Sequence, residues 1–165
     1  VAVLTISDSA VAGTREDRSG PAVAEKAQAL GWPVVAREVH RDEMGEIAAA
    51  MTRLIDEGHA DLVITTGGTG LGPRDVTPEA TKAIAHREIP GFGEIMRAEG
   101  RKTARFASLS RGGAAARGRA LILNLPGSPR GAVDSLVAVA DLIPHAIELL
   151  QGRTEHKSGE ASKPS

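Results

Sequence analysis

The chain has 165 residues, 41% of them apolar, and a formal net charge of −1. That length fits one domain, and the charge offers neither a nucleic-acid nor a membrane surface. There is no cysteine, which rules out a disulfide framework or a thiolate metal site and fits the cytoplasm.

Val1 to Ser7 reads as a strand rather than a signal peptide, and without an initiator Met a few natural residues are expected ahead of Val1. No apolar run reaches the roughly 18 residues of a membrane span. A polar loop follows to Gly20, then a helix over Pro21 to Leu30, with Val23, Ala27 and Leu30 on one face and Gly31 at its end. Val34 to Val39 is a second strand, and Glu43 to Glu57 an amphipathic helix. Leu62 to Thr66 is a third strand. Thr77 is expected to cap the next helix, with Pro78 at its first position and its end near His86. Phe92 to Lys102 is another helix. Between Arg105 and Arg119 the pattern fits a short helix, an edge strand or a loop equally well. Ala120 to Leu125 is a strand, and Ser128-Pro129 opens a last helix that Pro144 should kink. The alternation predicts an α/β fold: three layers, α/β/α, around a mostly parallel sheet. The single domain spans residues 1–151, and the polar tail, 152–165, reads as disordered.

The most informative stretch is Thr65-Thr66-Gly67-Gly68-Thr69-Gly70-Leu71-Gly72-Pro73-Arg74-Asp75-Val76-Thr77-Pro78-Glu79. A strand, a glycine-rich turn, an acid and a helix start describe a phosphate and metal site at the carboxyl edge of a sheet. It is not a Walker loop, since no Gly-Lys-Ser/Thr follows, nor a dinucleotide fingerprint, since Pro73 stands where the third glycine belongs. Ser19-Gly20-Pro21, Thr77-Pro78 and Ser128-Pro129 are helix starts that favour anions, although such residues also cap helices with no ligand.

Asp75 can hold Mg²⁺ beside phosphates, or it is a solvated loop acid. Asp42, at the opening of a helix, reads by itself as the cap of the helix it precedes. Asp8, at the end of the first strand, should converge on the same edge. Arg74 and Arg111 lie on candidate ligand loops and read either as phosphate grips or as surface charges. The histidines, His40, His59, His86, His145 and His156, lack zinc spacing. There is no nucleophile elbow and no cysteine nucleophile, so covalent hydrolysis has no support.

Thr5-Ile6-Ser7-Asp8-Ser9, Asp17-Arg18-Ser19-Gly20, the Thr65 to Gly70 loop, Asp75-Val76-Thr77-Pro78-Glu79, Ser110-Arg111 and Asn124 to Pro129 occur together and in order. Over roughly residues 1–150 this set resembles the MogA/MoaB-type family of molybdopterin adenylyltransferases, to which the G domains of plant Cnx proteins and gephyrin are related. The resemblance implies a homotrimer and a nucleotidyltransferase of molybdenum cofactor biosynthesis. Its substrates would be molybdopterin and ATP, with Mg²⁺, giving adenylyl-molybdopterin and pyrophosphate. A partner enzyme would insert the metal later. By the same resemblance Asp75 and Asp42 are catalytic and metal-binding. Asp42 stands in Arg41-Asp42-Glu43, without the proline that precedes the family's acid pair. Ser7, Asp8, Thr66, Gly67, Gly68, Thr69, Gly70, Ser110, Arg111, Pro126, Gly127 and Ser128 would bind pterin and nucleotide. A paralogue that binds pterin without adenylylating it, and a trimeric scaffold, share these motifs.

Overall fold

In the computed structural model, which describes residues 1–153, six strands form one mixed sheet in the order β2-β1-β3-β6-β5-β4. These are β1 (Ala2–Ile6), β2 (Ala36–His40), β3 (Leu62–Thr66), β4 (Arg87–Ile89), β5 (Gly113–Arg117) and β6 (Ala120–Leu125). The first four in that order run parallel, and β5 and β4 are antiparallel to their neighbours. The expectation of a mostly parallel sheet holds.

β1, β3 and β6 are buried on both faces, which is why they read as continuous apolar runs. Their side chains alternate between two cores. Val3, Leu62, Ile64, Leu121 and Leu123 pack under α2 (Ser19–Ala29), α5 (Pro90–Arg101), α6 (Pro129–Val139) and α7 (Ile143–Leu150). Leu4, Ile6, Val63 and Ile122 pack under α3 (Met44–Asp56) and α4 (Thr77–Ile84). That gives the expected three layers. No helix among the described residues is long and apolar enough to cross a membrane.

The chain leaves β1 towards β2 on one side of the sheet and then crosses back to β3 on the other. The carboxyl ends of β1 and β3 therefore flank the switch point where ligands enter open α/β sheets.

Several elements differ from expectation. The polar loop after β1 contains a short helix, α1 (Asp8–Val11), capped by the Ser7 hydroxyl. Residues 105–119 hold a 3₁₀ turn (Arg105–Leu109) and β5, whose buried Ala114, Ala115 and Ala116 are poor strand formers. They form a strand because β6 and β4 pair with them on either side. β4 itself, of three residues, carries no sequence signal of its own. The last helix is two helices rather than one kinked one. Residues 140–142 turn between α6 and α7, so Pro144 falls in the first turn of α7, where its missing N–H costs nothing. The predicted tail lies, beyond residue 153, outside the described residues.

Candidate functional site

The glycine loop leaves β3 through Gly67 and Gly68, both at positive φ (105° and 68°). A Cβ on Gly67 would lie 2.3 Å from the Ile6 carbonyl oxygen, so only glycine lets β3 turn this close to β1. Thr77 does not cap α4 with its side chain. Val76 holds the cap position, and Thr77, the first helical residue, donates from Oγ1 to the Gly67 carbonyl at 2.9 Å. This bond ties the start of α4 back to the start of the loop. Pro78 thus sits one residue further into the helix than predicted. Among the three Pro-bearing helix starts, Ser128 is the one whose side chain caps, accepting from the Gly131 N–H at 3.1 Å.

Asp42 does not cap α3. Glu43 occupies that cap position without a side-chain bond. Asp42 and Asp8 instead clasp each other. The Asp8 N–H donates to Asp42 Oδ2 at 2.9 Å, and the Asp42 N–H donates to Asp8 Oδ1 at 3.0 Å. Burial pushes the Asp42 carboxyl above its ordinary value, and the negative charges of Asp8 and Asp75 add to that push. The Asp8 N–H and Arg74 offset part of it. Asp75 closes the loop on itself by accepting the Gly72 N–H at 2.9 Å.

Two clefts open at this edge. One, about 710 Å³, is walled largely by apolar groups, including Leu71, Met96, Phe106 and Leu109. The other, about 650 Å³, is polar, with Ser7, Arg15, Asp17, Asp42 and Thr66 among its lining. Gly68, Asp75, Gly127 and Ser128 line both. Asp75 therefore stands where the two clefts meet, with a helix N-terminus at Ser128 beside it.

Of the predicted site residues, Ser7, Asp42, Thr66, Gly67, Gly68, Thr69, Gly70, Asp75, Ser110, Pro126, Gly127 and Ser128 line one cleft or both. Asp8 and Arg111 line neither. Asp8 is taken up by Asp42 and Arg74. Arg111 donates to the carbonyls of Gly70 (2.8 Å) and Asp75 (2.6 Å) and pairs with Glu79, and its N–H donates to the Thr69 carbonyl at 2.8 Å. It staples both ends of the glycine loop to α4, so its charge is held against the loop. The three acids share one edge but do not make a three-acid cage. No group of three or more His, Asp or Glu side chains fit to hold a metal occurs among the described residues.

Sequence reasoning assigned no role to Asp17. It accepts from Thr5 Oγ1 at 2.8 Å and from the Gly20 N–H at 2.9 Å, fixing the start of α2 against the polar cleft. An acid three residues ahead of a helical Gly-Pro was the available signal. Arg97, on the wall of the apolar cleft, was also missed. It lies in a helix with nothing local to mark it, and its Nη1 donates to the carbonyls of Ser110 (3.3 Å) and Gly112 (2.9 Å).

Residues 2–145 match the family model described as "Probable molybdopterin binding domain". The chain belongs to this family. Among members of this molybdopterin-binding family, the molybdopterin adenylyltransferase of Helicobacter pylori (strain J99) is 40% identical over 169 residues, covering 99% of this chain and 96% of that protein. The molybdopterin adenylyltransferase of Escherichia coli K12 is 40% identical over 166 residues, covering 92% and 85%. The crystal structure of the molybdopterin biosynthesis enzyme MoaB from Thermus thermophilus superposes with a TM-score of 0.86 at 46% identity, covering 92% of this chain and 95% of that one.

Proposed function

We propose that this protein is a molybdopterin adenylyltransferase of molybdenum cofactor biosynthesis. One observation carries the reading: an apolar cleft and a polar, acidic cleft meet at Asp75 and the Ser128 helix start. A reaction that joins two bulky anions needs such a shared wall. The planar pterin suits the apolar cleft, and the nucleotide phosphates suit the polar one. A phosphate oxygen of molybdopterin attacks the α-phosphorus of ATP. The bond to the β-phosphate oxygen breaks, and pyrophosphate leaves with the electron pair. The attacking phosphate is already ionised at neutral pH, so no general base is required. Catalysis is alignment and charge neutralisation. That accords with a site whose lining, among the described residues, lacks histidine.

The donor set fits Mg²⁺. Asp42 and Asp75 both line the polar cleft, and the carboxyl of Asp42 is raised by burial and by neighbouring negative charge, which a cation would relieve. Two carboxylates suit an ion that takes one or two protein acids and completes its shell with phosphates and water. When bound there, Mg²⁺ would neutralise the phosphate charge. The Ser128 helix start and the Gly68–Gly70 backbone would orient the anions. The working assembly is a homotrimer in the cytoplasm, handing its product to a metal-insertion enzyme. Sedimentation at micromolar concentration tests the trimer.

Incubation with molybdopterin, ATP and Mg²⁺ should release pyrophosphate stoichiometrically with adenylyl-molybdopterin. Pterin binding without pyrophosphate release would overturn the enzymatic reading in favour of a binding paralogue. Asp75→Asn should retain the fold and pterin binding but lose about 10²- to 10³-fold in turnover. Unchanged turnover would remove Asp75 from the catalytic machinery.

A further inference from the structure

We propose that Arg74 is a positioning residue that holds Asp42 in place by way of Asp8, an inference that rests on the function proposed above. Arg74 sits at the tip of the glycine loop, and its sequence context suggested a phosphate grip or a free surface charge. Its side chain makes neither arrangement. Nε donates to Asp8 Oδ2 at 3.0 Å and Nη2 to Asp8 Oδ1 at 3.1 Å, a two-pronged hold on one carboxylate. Nη1 and Nη2 both reach Glu43 Oε1 at 3.1 Å. Asp8 Oδ1, the oxygen that Nη2 holds, also accepts the Asp42 N–H at 3.0 Å, and the Asp8 N–H in turn holds Asp42 Oδ2 at 2.9 Å.

One guanidinium therefore joins the segments leaving three parallel strands. Asp8 follows β1, Asp42 and Glu43 follow β2, and Arg74 itself follows β3. Without it, the carboxylates of Asp8 and Asp42 would face each other with only backbone N–H groups between them, and Glu43 would add a third negative charge. Both partners of the ion pair are substantially exposed, Arg74 by 57% and Asp8 by 43%. Exposed pairs of this kind add little to stability, so the fold does not depend on the latch. What depends on it is where Asp42 points. The bidentate geometry matters as well, since a lysine keeps the charge but cannot grip both oxygens of Asp8 in one plane.

The test compares Arg74→Gln, Arg74→Lys, Asp8→Asn and the Arg74→Gln/Asp8→Asn double variant in the pyrophosphate-release assay, alongside a crystal structure of Arg74→Gln. Loss of a partner one step behind a reacting group typically costs about 10- to 100-fold. Arg74→Gln should lower kcat by that amount with KM for ATP and molybdopterin within about twofold of wild type. Arg74→Lys should recover only part of the loss. The double variant should be no worse than the poorer single one, because both act through one unit. In the Arg74→Gln crystal, the Asp42 carboxylate should have left the Asp8 N–H. A raised KM with unchanged kcat would make Arg74 a substrate grip and overturn the proposal, as would fully additive losses. Absence of turnover in the wild type would sink the adenylyl-transfer reading instead. The position of Asp42 in the Arg74→Gln crystal still decides this inference in that case, and an unmoved carboxylate overturns it.

Discussion

In the parallel half of the sheet, β1, β2, β3 and β6 all end at one edge and deliver Ser7, Asp42, the glycine loop and Ser128 to the two clefts. In the antiparallel flank, β5 starts at that edge and β4 runs beside it, and the segment entering β5 lends Phe106, Leu109 and Ser110 to the apolar cleft and also carries Arg111, which touches neither cleft but fastens the loop that does. The two halves thus contribute different things. Parallel strands supply ligand-facing loops and helix starts, because every one of their crossovers returns the chain at the same edge. The flank supplies part of the apolar wall and, through Arg111, a cation that satisfies carbonyls on both sides of Leu71 to Arg74.

The contrast is broken most severely at Gly67. Gly67→Ala would combine a disfavoured φ with a Cβ driven against the Ile6 carbonyl. It should cost upwards of about 3 kcal/mol, read as a collapse of the denaturation midpoint. Gly118, in the hairpin between β5 and β6, also has positive φ (55°), but a Cβ added there would meet nothing within 4 Å. Gly118→Ala should cost only the backbone term, about 1–2 kcal/mol. Equal losses at the two positions would refute the idea that close approach, and not conformation alone, fixes Gly67.

Arg111→Gln should come next. It strips donors from the Gly70 and Asp75 carbonyls, at about 1–3 kcal/mol in stability. It should also lower turnover by releasing the loop beside Asp75. A variant that loses ATP affinity with an intact loop, seen in a crystal structure, would return Arg111 to the role of phosphate grip.

The smallest effect concerns pH. Arg111 beside Glu79 holds that carboxyl below its ordinary value of 4.5. A carboxyl whose folded value is depressed adds stability above the unfolded value and loses it as pH falls through the folded one. Thermal stability of the wild type should therefore fall more steeply below about pH 4.5 than that of Glu79→Gln. Since Glu79 is almost half exposed, solvent screening keeps the difference small. Parallel melting curves across that range would show that the pair contributes nothing.

The sequence by itself determined the parallel core and which segments gather at its carboxyl edge. β1, β3 and β6 stood out because strands buried on both faces must be apolar throughout, and the glycine loop because a backbone passing this close to β1 excludes side chains. Asp75 stood out through its place between the glycine loop and a helix start, and Asp42 only through the resemblance to the family's motifs. What only the tertiary structure decided depends on partners distant in sequence. Ala114 to Ala116 became a strand through pairing on both edges, with no propensity to announce it. Pro144 opens a helix instead of kinking one because the chain turns at residues 140–142. Asp42 clasps Asp8, 34 residues away, instead of capping its own helix. Arg74 and Arg111 had the same local appearance and turned out to hold carboxylates and carbonyls of the protein itself. A cation's role is set by whichever oxygens the fold brings within about 3 Å, and that distance is not written in its neighbours along the chain.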